Sequence, residues 1–523
     1  MRRFRILLPL AVLLLAWASC TTVKHMRVDT AASPPAAGDE AFPHIVGYTT
    51  ADAVYHPFDG FVRLADPDSL RFYRKGKVKV PDPTNLSLAF TMARADVASL
   101  SVRKVKVLAT IGVTVVVATV IVAAIVAATE ESKPPPTTTT TSCPFVYSWD
   151  GKEFVLDAEP YGGATIRALE RTDVTELEHL APSNGRYRLL LTNEMDESQH
   201  TNRIDLMIVD HAPGVVVAVD PEGNPHAFQA VHRLVEARDQ AGRDLLPWLR
   251  DKDQAIWHPD LEAASRNLPP SDTRDHITLT FDRPAGARNA YLLADAATAP
   301  WGARMIRTLL AMRGATLGLF YAAINSDEGA RRKLHEWNER EELFYLGVEV
   351  EEGGRWVRQG HLIGGGPVVA ETRAIPLDLS RVTGDRVRVR IHPPVGFWMF
   401  NAFRLADGEV AARAQVVAPL SARDGAGKDV LATLARDDEA YDTFATNEDR
   451  AVVGFPAPPQ AGGTERTVFA RTRGWYEIRM GGLGIPDFAA LRRTTDEPGF
   501  AVVRALEDYR AMRDKWSTQT AGL

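Results

Sequence analysis

Cysteine is almost absent: the 523 residues contain two, Cys20 and Cys143. Two thiols are too few for a zinc site built from cysteines or for a network of disulfides. A chain of this length is long enough for two to four domains, and 45% of its residues are hydrophobic. We therefore expect the folded domains to depend on burial of apolar side chains.

An excess of positive charge is also missing. The net charge is −6, and no five consecutive residues carry charge of one sign. This pattern excludes the clustered lysines and arginines of a nucleic-acid-binding surface, so we expect no nucleic-acid partner.

Motifs for catalysis and for cofactor binding are missing as well. There is no G-x-S-x-G serine elbow, and the HEWNE segment at His335 lacks the second histidine of a zinc-protease helix. The GAGKDV segment at 425–430 has Asp429 where a phosphate-binding loop needs Ser or Thr. The GGGP segment at 364–367 is typical of a structural loop between strands. The sequence predicts no cofactor, no metal site and no catalytic residue.

Isolated acidic and histidine residues do not change this expectation. The pair Asp210 and His211 and the single His200 follow no metal-binding or catalytic spacing. Four further acidic residues could supply calcium oxygens but lack a D-x-D-x-D run, so we expect them on solvated loops: Asp157, Glu159, Asp173 and Glu178.

The N-terminus has the organisation of an export signal. Three arginines at positions 2, 3 and 5 precede an apolar segment, 6–17, which is followed by Ala18, Ser19 and Cys20. This arrangement resembles the lipobox of bacterial lipoproteins, with Trp17 where that family has leucine. The resemblance implies acylation of Cys20, a membrane-lipid partner, and a place in the bacterial cell envelope, at the outer membrane or the periplasmic face.

Residues 107–129 form an uncharged stretch of 23 residues, VLATIGVTVVVATVIVAAIVAAT. About 20 apolar residues cross a bilayer as a helix, so the length predicts a membrane helix. Small residues recur four apart, as in Thr110, Thr114 and Ala118, which favours close helix packing and a homo-oligomer. Basic residues before the helix and Glu130 and Glu131 after it predict an orientation opposite to the one that an exported N-terminus implies.

The fold class that we predict is mainly β: a small β barrel or meander, one transmembrane-type helix, and a large antiparallel β-sandwich region with a few helices. The expected organisation is a signal peptide (1–20), a flexible tether (21–43), a small β domain (44–106), the membrane helix (107–129), a Pro/Thr linker (130–142), a sandwich-like region (143–407) and a C-terminal α+β unit (408–523).

Local patterns within the large region predict individual elements. Val387, Val389 and Ile391 alternate with charged residues, as in a strand with one wet face. Asp150-Gly151 and Arg473-Gly474 each predict a hairpin turn. Helices are expected over 300–314, over 326–346 with Ser326 as the N-cap, and at the C-terminus.

The segment DRVRVRIHPPVGFWMFNAFRLAD, at 385–407, resembles the last strands of galactose-binding-like β-sandwiches. That resemblance implies a fold that binds carbohydrates or other ligands. Three aromatic residues in it could line a sugar-binding platform, although such rings in an alternating strand more often belong to the core: Phe397, Trp398 and Phe400.

Three functional hypotheses follow. The first is a cell-envelope lipoprotein that binds or scaffolds without catalysis, with a carbohydrate or an envelope protein as its partner. The second is an envelope hydrolase acting on glycans or peptides, which would need two carboxylates facing each other across a cleft. The third is a membrane-embedded assembly protein that oligomerises through residues 107–129.

Overall fold

The computed structural model describes residues 21–27, 44–50, 55–66, 69–74, 87–105, 144–253, 255–480 and 484–520. It divides the chain into two compact units, Met1–Lys133 and Pro134–Leu523. The mainly β fold class is confirmed. Cys20 and the predicted membrane helix, 107–129, lie outside the described residues. In the part of the chain that the structure describes, no helix combines the length and apolarity needed to cross a bilayer.

The first unit contains one antiparallel sheet with the strand order β1-β6-β2-β3-β4-β5. Its strands are β1 (Thr21–Arg27), β2 (His44–Thr50), β3 (Tyr55–Asp66), β4 (Ser69–Arg74), β5 (Ser87–Ala93) and β6 (Val97–Val105). Strand β1 falls within the segment expected to be a flexible tether. It forms a strand because β6 pairs with it along its whole length, from Thr21 opposite Val105 to Arg27 opposite Ser99. Phe72 is fully buried and its ring lies 4.8 Å from that of Tyr48.

The second unit contains twenty strands in the described residues. They are β7 (Phe145–Trp149), β8 (Phe154–Ala158), β9 (Arg171–Glu176), β10 (Arg186–Thr192), β11 (Glu197–His211), β12 (Val216–Val219), β13 (Pro225–Arg233), β14 (Glu236–Asp239), β15 (Ile277–Asp282), β16 (Asn289–Thr298), β17 (Tyr345–Glu352), β18 (Arg355–Ile363), β19 (Glu371–Asp378), β20 (Arg386–Ile391), β21 (Trp398–Val410), β22 (Ala414–Val417), β23 (Ser421–Asp424), β24 (Asp442–Phe444), β25 (Arg450–Pro456) and β26 (Glu465–Ile478).

Eight α-helices accompany these strands in the described residues. They are α1 (Leu246–Leu249), α2 (Leu261–Arg266), α3 (Pro300–Ala311), α4 (Leu317–Ser326), α5 (Glu328–Glu341), α6 (Leu431–Leu434), α7 (Phe488–Asp496) and α8 (Phe500–Thr520). The predicted helices over 300–314 and at the C-terminus correspond to α3 and α8. The N-cap of α5 is Asp327, whose carboxylate accepts the Ala330 N–H, and not the predicted Ser326, which ends α4.

These strands form four β layers. The first sheet has the order β23-β25-β10-β7-β8, and the second sheet has the order β22-β11-β26-β9, with β24 also pairing with β11. The third layer is a closed barrel, β12-β13-β21-β16-β19. The fourth layer, which we call the third sheet, has the order β14-β15-β20-β17-β18. Strands after residue 408 therefore share sheets with β7 to β11. The segment 408–523, which we expected to be a C-terminal unit, thus contributes strands to the same sheets as residues 145–211.

Strand β11 shows how the layers pack. Leu206 and Ile208 face the first sheet in one core, whereas Met207 and Val209 face Val217 of the barrel in another. Both faces are buried at this point, which explains the apolar run LMIV, at 206–209, within this strand. A larger core lies between the barrel and the third sheet and also receives α3 and α8.

Two predicted hairpins differ from the structure. The turn at Asp150-Gly151 joins β7 and β8 as predicted, but it has four residues and is closed by Asp150, whose side chain accepts the N–H groups of Lys152 and Glu153. At Arg473-Gly474 there is no turn, because β26 continues through both residues. A Cβ on Gly474 would lie 2.3 Å from the carbonyl oxygen of His200, so this glycine permits close packing within the sheet.

Candidate functional site

The aromatic residues predicted as a sugar platform lie in the core. Phe397, Trp398 and Phe400 are each at most 1% exposed. The ring of Phe397 meets Phe344 at 5.1 Å, Trp398 stacks on Phe400 at 6.2 Å, and the Trp398 indole N–H donates to the carbonyl oxygen of Glu342. In this structure their ring faces are covered by other side chains, and we place no ligand there.

Of the four acidic residues expected on solvated loops, three are buried and one is exposed. Asp157, Glu159 and Asp173 are buried, and only Glu178 is exposed. Asp157 accepts the backbone N–H groups of Glu178 and His179 and lies 2.9 Å from the His179 ring nitrogen. No group of three metal-ligating side chains occurs within the ranges that the structure describes.

Glu159 is fully buried where the GGGP loop packs. Its Oε2 accepts the N–H groups of Val368 and Val369 at 2.6 and 3.2 Å, while Oε1 has no hydrogen-bond partner in the described structure. Burial raises the pKa of this carboxyl group well above its ordinary value. A Cβ on Gly366 would lie 2.2 Å from the Glu159 side chain. The loop is therefore structural, as its sequence indicates.

A groove of about 990 Å³ lies between the second sheet and the barrel. We call it the inter-layer groove. Carboxylates, cations and hydroxyl groups alternate around it with aliphatic side chains. Its residues include Glu176, Glu178, Tyr187, His211, Val216, Lys252, Thr372, Arg404, Arg466, Thr467 and Val468. A concave site with a few convergent polar groups is the usual form of a ligand site.

Lys252 connects two carboxylates at one part of this groove. Its ammonium group is hydrogen-bonded to Glu178 and lies 3.2 Å from Oδ2 of Asp295. Asp295 is 1% exposed, and its two oxygens also accept hydrogen bonds from Thr372 at 2.7 Å and Asn401 at 3.0 Å. These partners compensate the cost of burying a carboxyl group so deep in the protein.

A β-bulge positions Asn401. Asp295 pairs with Ala402 and Ala296 pairs with Phe400, so Asn401 is the extra residue of β21 at this point. Its amide turns to Asp295, and its oxygen accepts the Asp253 N–H, next to Lys252 in the chain. Bulges are frequent beside functional sites because they redirect one side chain without ending the strand.

Glu176 is a carboxyl group of the groove whose pKa lies near neutral pH. Burial and the nearby Glu178 raise its pKa to about 7, even though Lys252 acts in the opposite direction. Burial would by itself lower the pKa of Lys252, but Asp295 and Glu178 outweigh it and raise that pKa. Near neutral pH the groove therefore has one carboxyl group that readily gains or loses a proton beside a stable ammonium–carboxylate cluster.

A second set of polar side chains borders the groove along β26. Arg466 forms two hydrogen bonds with Asp210, at 2.6 and 2.8 Å, and the Nε2 of His211 lies 3.0 Å from Thr467 Oγ1. Along the same strand Phe469 pairs with Glu176. Arg466 lies three positions before Phe469 along the strand, which corresponds to about 10 Å. The groove thus presents two sets of polar side chains along one strand.

Most residues of this site are absent from the sequence-based candidates. Glu178 and the pair Asp210-His211 attract attention in the sequence, whereas Glu176, Lys252 and Asp295 do not. They come from β9, the segment after α1, and β16, which no local spacing connects. One signal could have indicated Asp295: it is an acidic residue inside the apolar run YLLADAATA.

Comparisons with known proteins assign no family. No family model matches the chain, and no curated protein matches it. One similarity among solved structures is to a β-porphyranase of glycoside hydrolase family 86 from the human gut bacterium Bacteroides plebeius. It has 8% identity and a TM-score of 0.16, and it covers 47% of this chain and 37% of that enzyme. The chain spans little more than a third of the enzyme's length, and at this TM-score the likeness carries no argument.

Proposed function

We propose that this protein is a bacterial cell-envelope lipoprotein that binds a carbohydrate chain in the inter-layer groove. The observation that carries the proposal is the groove itself, with Glu176, Lys252 and Arg404 on its wall. A sugar hydroxyl both donates and accepts hydrogen bonds, so it matches a surface on which carboxylates and cations alternate. The aliphatic residues between them, such as Val216, suit the C–H faces of sugar rings.

Binding can be tested with the purified full chain on a panel of neutral oligosaccharides of about four to six sugar units, measured by calorimetry. We expect at least one member to bind, and Arg404→Ala to weaken that binding by about tenfold or more, which is about 1.4 kcal/mol. Arg413→Ala, which changes an exposed arginine not found on the groove wall, is the matched control. Equal affinity in both variants would place the ligand elsewhere.

The envelope location rests on the lipobox-like N-terminus. Labelled palmitate incorporated by the wild type and not by Cys20→Ser would support acylation. Protease access to residues 143–523 in intact cells would then show on which side of the membrane the groove lies. Equal labelling of both forms would remove the lipoprotein part of the proposal.

A glycan hydrolase is the second candidate, and the pKa of Glu176 favours it. A glycosidase needs one carboxylic acid that is protonated near neutral pH and a second carboxylate that is ionised. Glu176, with a pKa of about 7, fits the first role. Glu178, which accepts a hydrogen bond from Lys252, lies in the same groove and is the candidate for the second carboxylate.

The two functions differ in a measurable way. If the protein is a hydrolase, end-labelled oligosaccharides from the same panel are shortened by the wild type, and Glu176→Gln stops cleavage while binding persists. If it only binds, the wild type leaves the oligosaccharides intact and Glu176→Gln changes affinity alone. Cleavage that persists in Glu176→Gln would exclude this residue as the acid.

A further inference from the structure

An apolar loop stands out on the surface of the second unit, and none of its residues lines the inter-layer groove. Ile485 is 93% exposed and Phe488, three residues later, is 68% exposed. The loop between them is held firmly: the Ala315 N–H donates to Gly484 at 2.9 Å, and the Asp487 N–H donates to Met312 at 2.8 Å. The structure thus fixes two large apolar side chains in contact with water.

A pocket lined by arginines adjoins this loop. Its volume is about 440 Å³, and Ile485 lines it together with Arg304, Arg307 and Arg504. Arg504 is neutralised by Glu507 and Asp508 at 3.3 and 3.4 Å. We call this the arginine pocket.

The other two arginines of the pocket have no such neutralisation. Within the described ranges, no carboxylate forms an ion pair with Arg304 or Arg307. Nε of Arg304 is buried without a hydrogen-bond partner there, and Arg307 donates to the carbonyl oxygen of Arg479 at 3.4 Å. The acidic residue nearest in the loop, Asp487, already accepts the Ala490 N–H at the start of α7. Asp487 and Asp508 also line the pocket, and the Arg304 guanidinium carbon lies 5.6 Å from the centre of the Trp301 ring. Among the described residues, neither Arg304 nor Arg307 is paired with a carboxylate, so these two guanidinium groups are the candidates to bind an anion.

We propose that the loop and the arginine pocket form a contact with the surface of an anionic phospholipid bilayer. Ile485 and Phe488 enter the boundary between headgroups and acyl chains, and Arg304 and Arg307 bind lipid phosphates. Apolar side chains beside basic ones are the combination by which peripheral proteins lie on membranes. The planar guanidinium group pairs well with phosphate oxygens.

Two observations favour a bilayer over other occupants. This part of the chain contributes two large exposed apolar side chains, Ile485 and Phe488, which is a small apolar area for a stable protein interface. A free phosphate ion would fill the pocket but leave Ile485 and Phe488 in water. The sequence also predicts a membrane location for this chain, from its uncharged 23-residue segment and its basic, apolar N-terminus. The inference does not depend on what the inter-layer groove binds.

The test uses the full chain with Cys20→Ser and Cys143→Ser, reconstituted with vesicles of phosphatidylcholine and phosphatidylglycerol. Ile485→Cys is labelled with a fluorophore, and quenching by nitroxide-bearing lipids is measured. Leu420→Cys, at a site that is 55% exposed on the same unit, is the matched control. We expect at least twofold stronger quenching at position 485 than at position 420. Circular dichroism checks that both variants are folded.

The charge requirement is tested in the same preparation. Arg304→Gln with Arg307→Gln should reduce quenching at position 485 to the level seen in pure phosphatidylcholine vesicles, whereas Arg413→Gln should leave it unchanged. Inorganic phosphate at the concentration of the lipid phosphate should not shield the label. Equal quenching at positions 485 and 420 would overturn the proposal. A label at position 485 that is shielded from aqueous iodide but not quenched by lipid nitroxides would also overturn it, because a protein partner would then cover the loop.

Discussion

The ammonium group of Lys252 lies 3.2 Å from Oδ2 of Asp295 and also bonds to Glu178, so one cation stabilises two carboxylates of the inter-layer groove. Asp295 is buried in the barrel, whereas Glu178 is exposed beside the second sheet. Lys252 thereby connects two layers of the second unit at the point where the groove lies between them.

Replacing Lys252 by methionine should weaken this connection. Asp295 would lose its only ion pair among the described residues and keep Thr372 and Asn401. We expect the free energy of unfolding to fall by about 1–3 kcal/mol. Urea unfolding followed by tryptophan fluorescence measures it. Lys152→Met, in the exposed turn after β7, is the control, and an equal change in both variants would contradict this role of Lys252.

The protonation of Glu176 should make stability depend on pH. Its pKa is raised from 4.5 to about 7, so between these values the folded protein binds more protons than the unfolded chain. The contribution of Glu176 to stability is therefore most favourable below pH 4.5 and decreases as the pH rises to about 7. Glu176→Gln removes this loss, and we expect the variant to gain about 1–3 kcal/mol relative to wild type between pH 4.5 and 8.

Unfolding by urea at several pH values, with the exposed Glu153→Gln as control, checks that prediction. The difference between Glu176→Gln and wild type should grow with pH, whereas the control should show no such trend. A difference that stays constant from pH 4.5 to 8 would show that Glu176 does not have the raised pKa.

Glu159 should tolerate amidation but not truncation. Burial raises the pKa of its carboxyl group and so favours the neutral form, and glutamine keeps an acceptor oxygen for the N–H groups of Val368 and Val369. We expect Glu159→Gln to change the free energy of unfolding by less than about 1 kcal/mol. Glu159→Ala should cost about 2–5 kcal/mol, because it leaves two partly buried N–H groups without their acceptor and opens a cavity at the buried carboxyl group. Equal loss in both variants would show that the buried group is ionised.

Gly366 should accept no side chain. A Cβ there would lie 2.2 Å from the Glu159 carboxyl carbon, and overpacking of a core usually costs about 1–3 kcal/mol. Gly318→Ala is the matched control, since a Cβ in α4 meets nothing within 4 Å and alanine favours the helix by up to about 1 kcal/mol. Thermal unfolding of both variants should therefore show changes of opposite sign, and a stable Gly366→Ala would contradict the close packing of this loop.

Sequence patterns were informative where one physical effect dominates. The alternation of Val387, Val389 and Ile391 predicted a strand, and all three are at most 1% exposed in β20. The apolar stripe and Pro300 predicted α3. Patterns were misleading where the local structure depends on a residue that is distant in the sequence but close in space. Gly474 resembles a turn glycine, yet it lies within β26 because the backbone at His200 comes too close for a Cβ.

The candidate site could not be predicted because its parts are not related by local spacing. Glu176, Lys252 and Asp295 come from three separate segments, and the pKa of Glu176 depends on burial that only packing creates. The aromatic residues Phe397, Trp398 and Phe400 show the converse. Their residue types suit a sugar platform, but tertiary packing covers their rings.

The amino-acid sequence by itself determined that this protein is mainly β, that at most one disulfide can form within the chain, and that many of its strands and helices lie where they do. These properties follow from composition and from periodicities of 2 and 3.6 residues, which act locally. Only the tertiary structure decided how four β layers stack, which acidic groups are buried, and where a groove lies between them. Those outcomes depend on contacts between segments far apart in the chain, for which the sequence contains no local pattern.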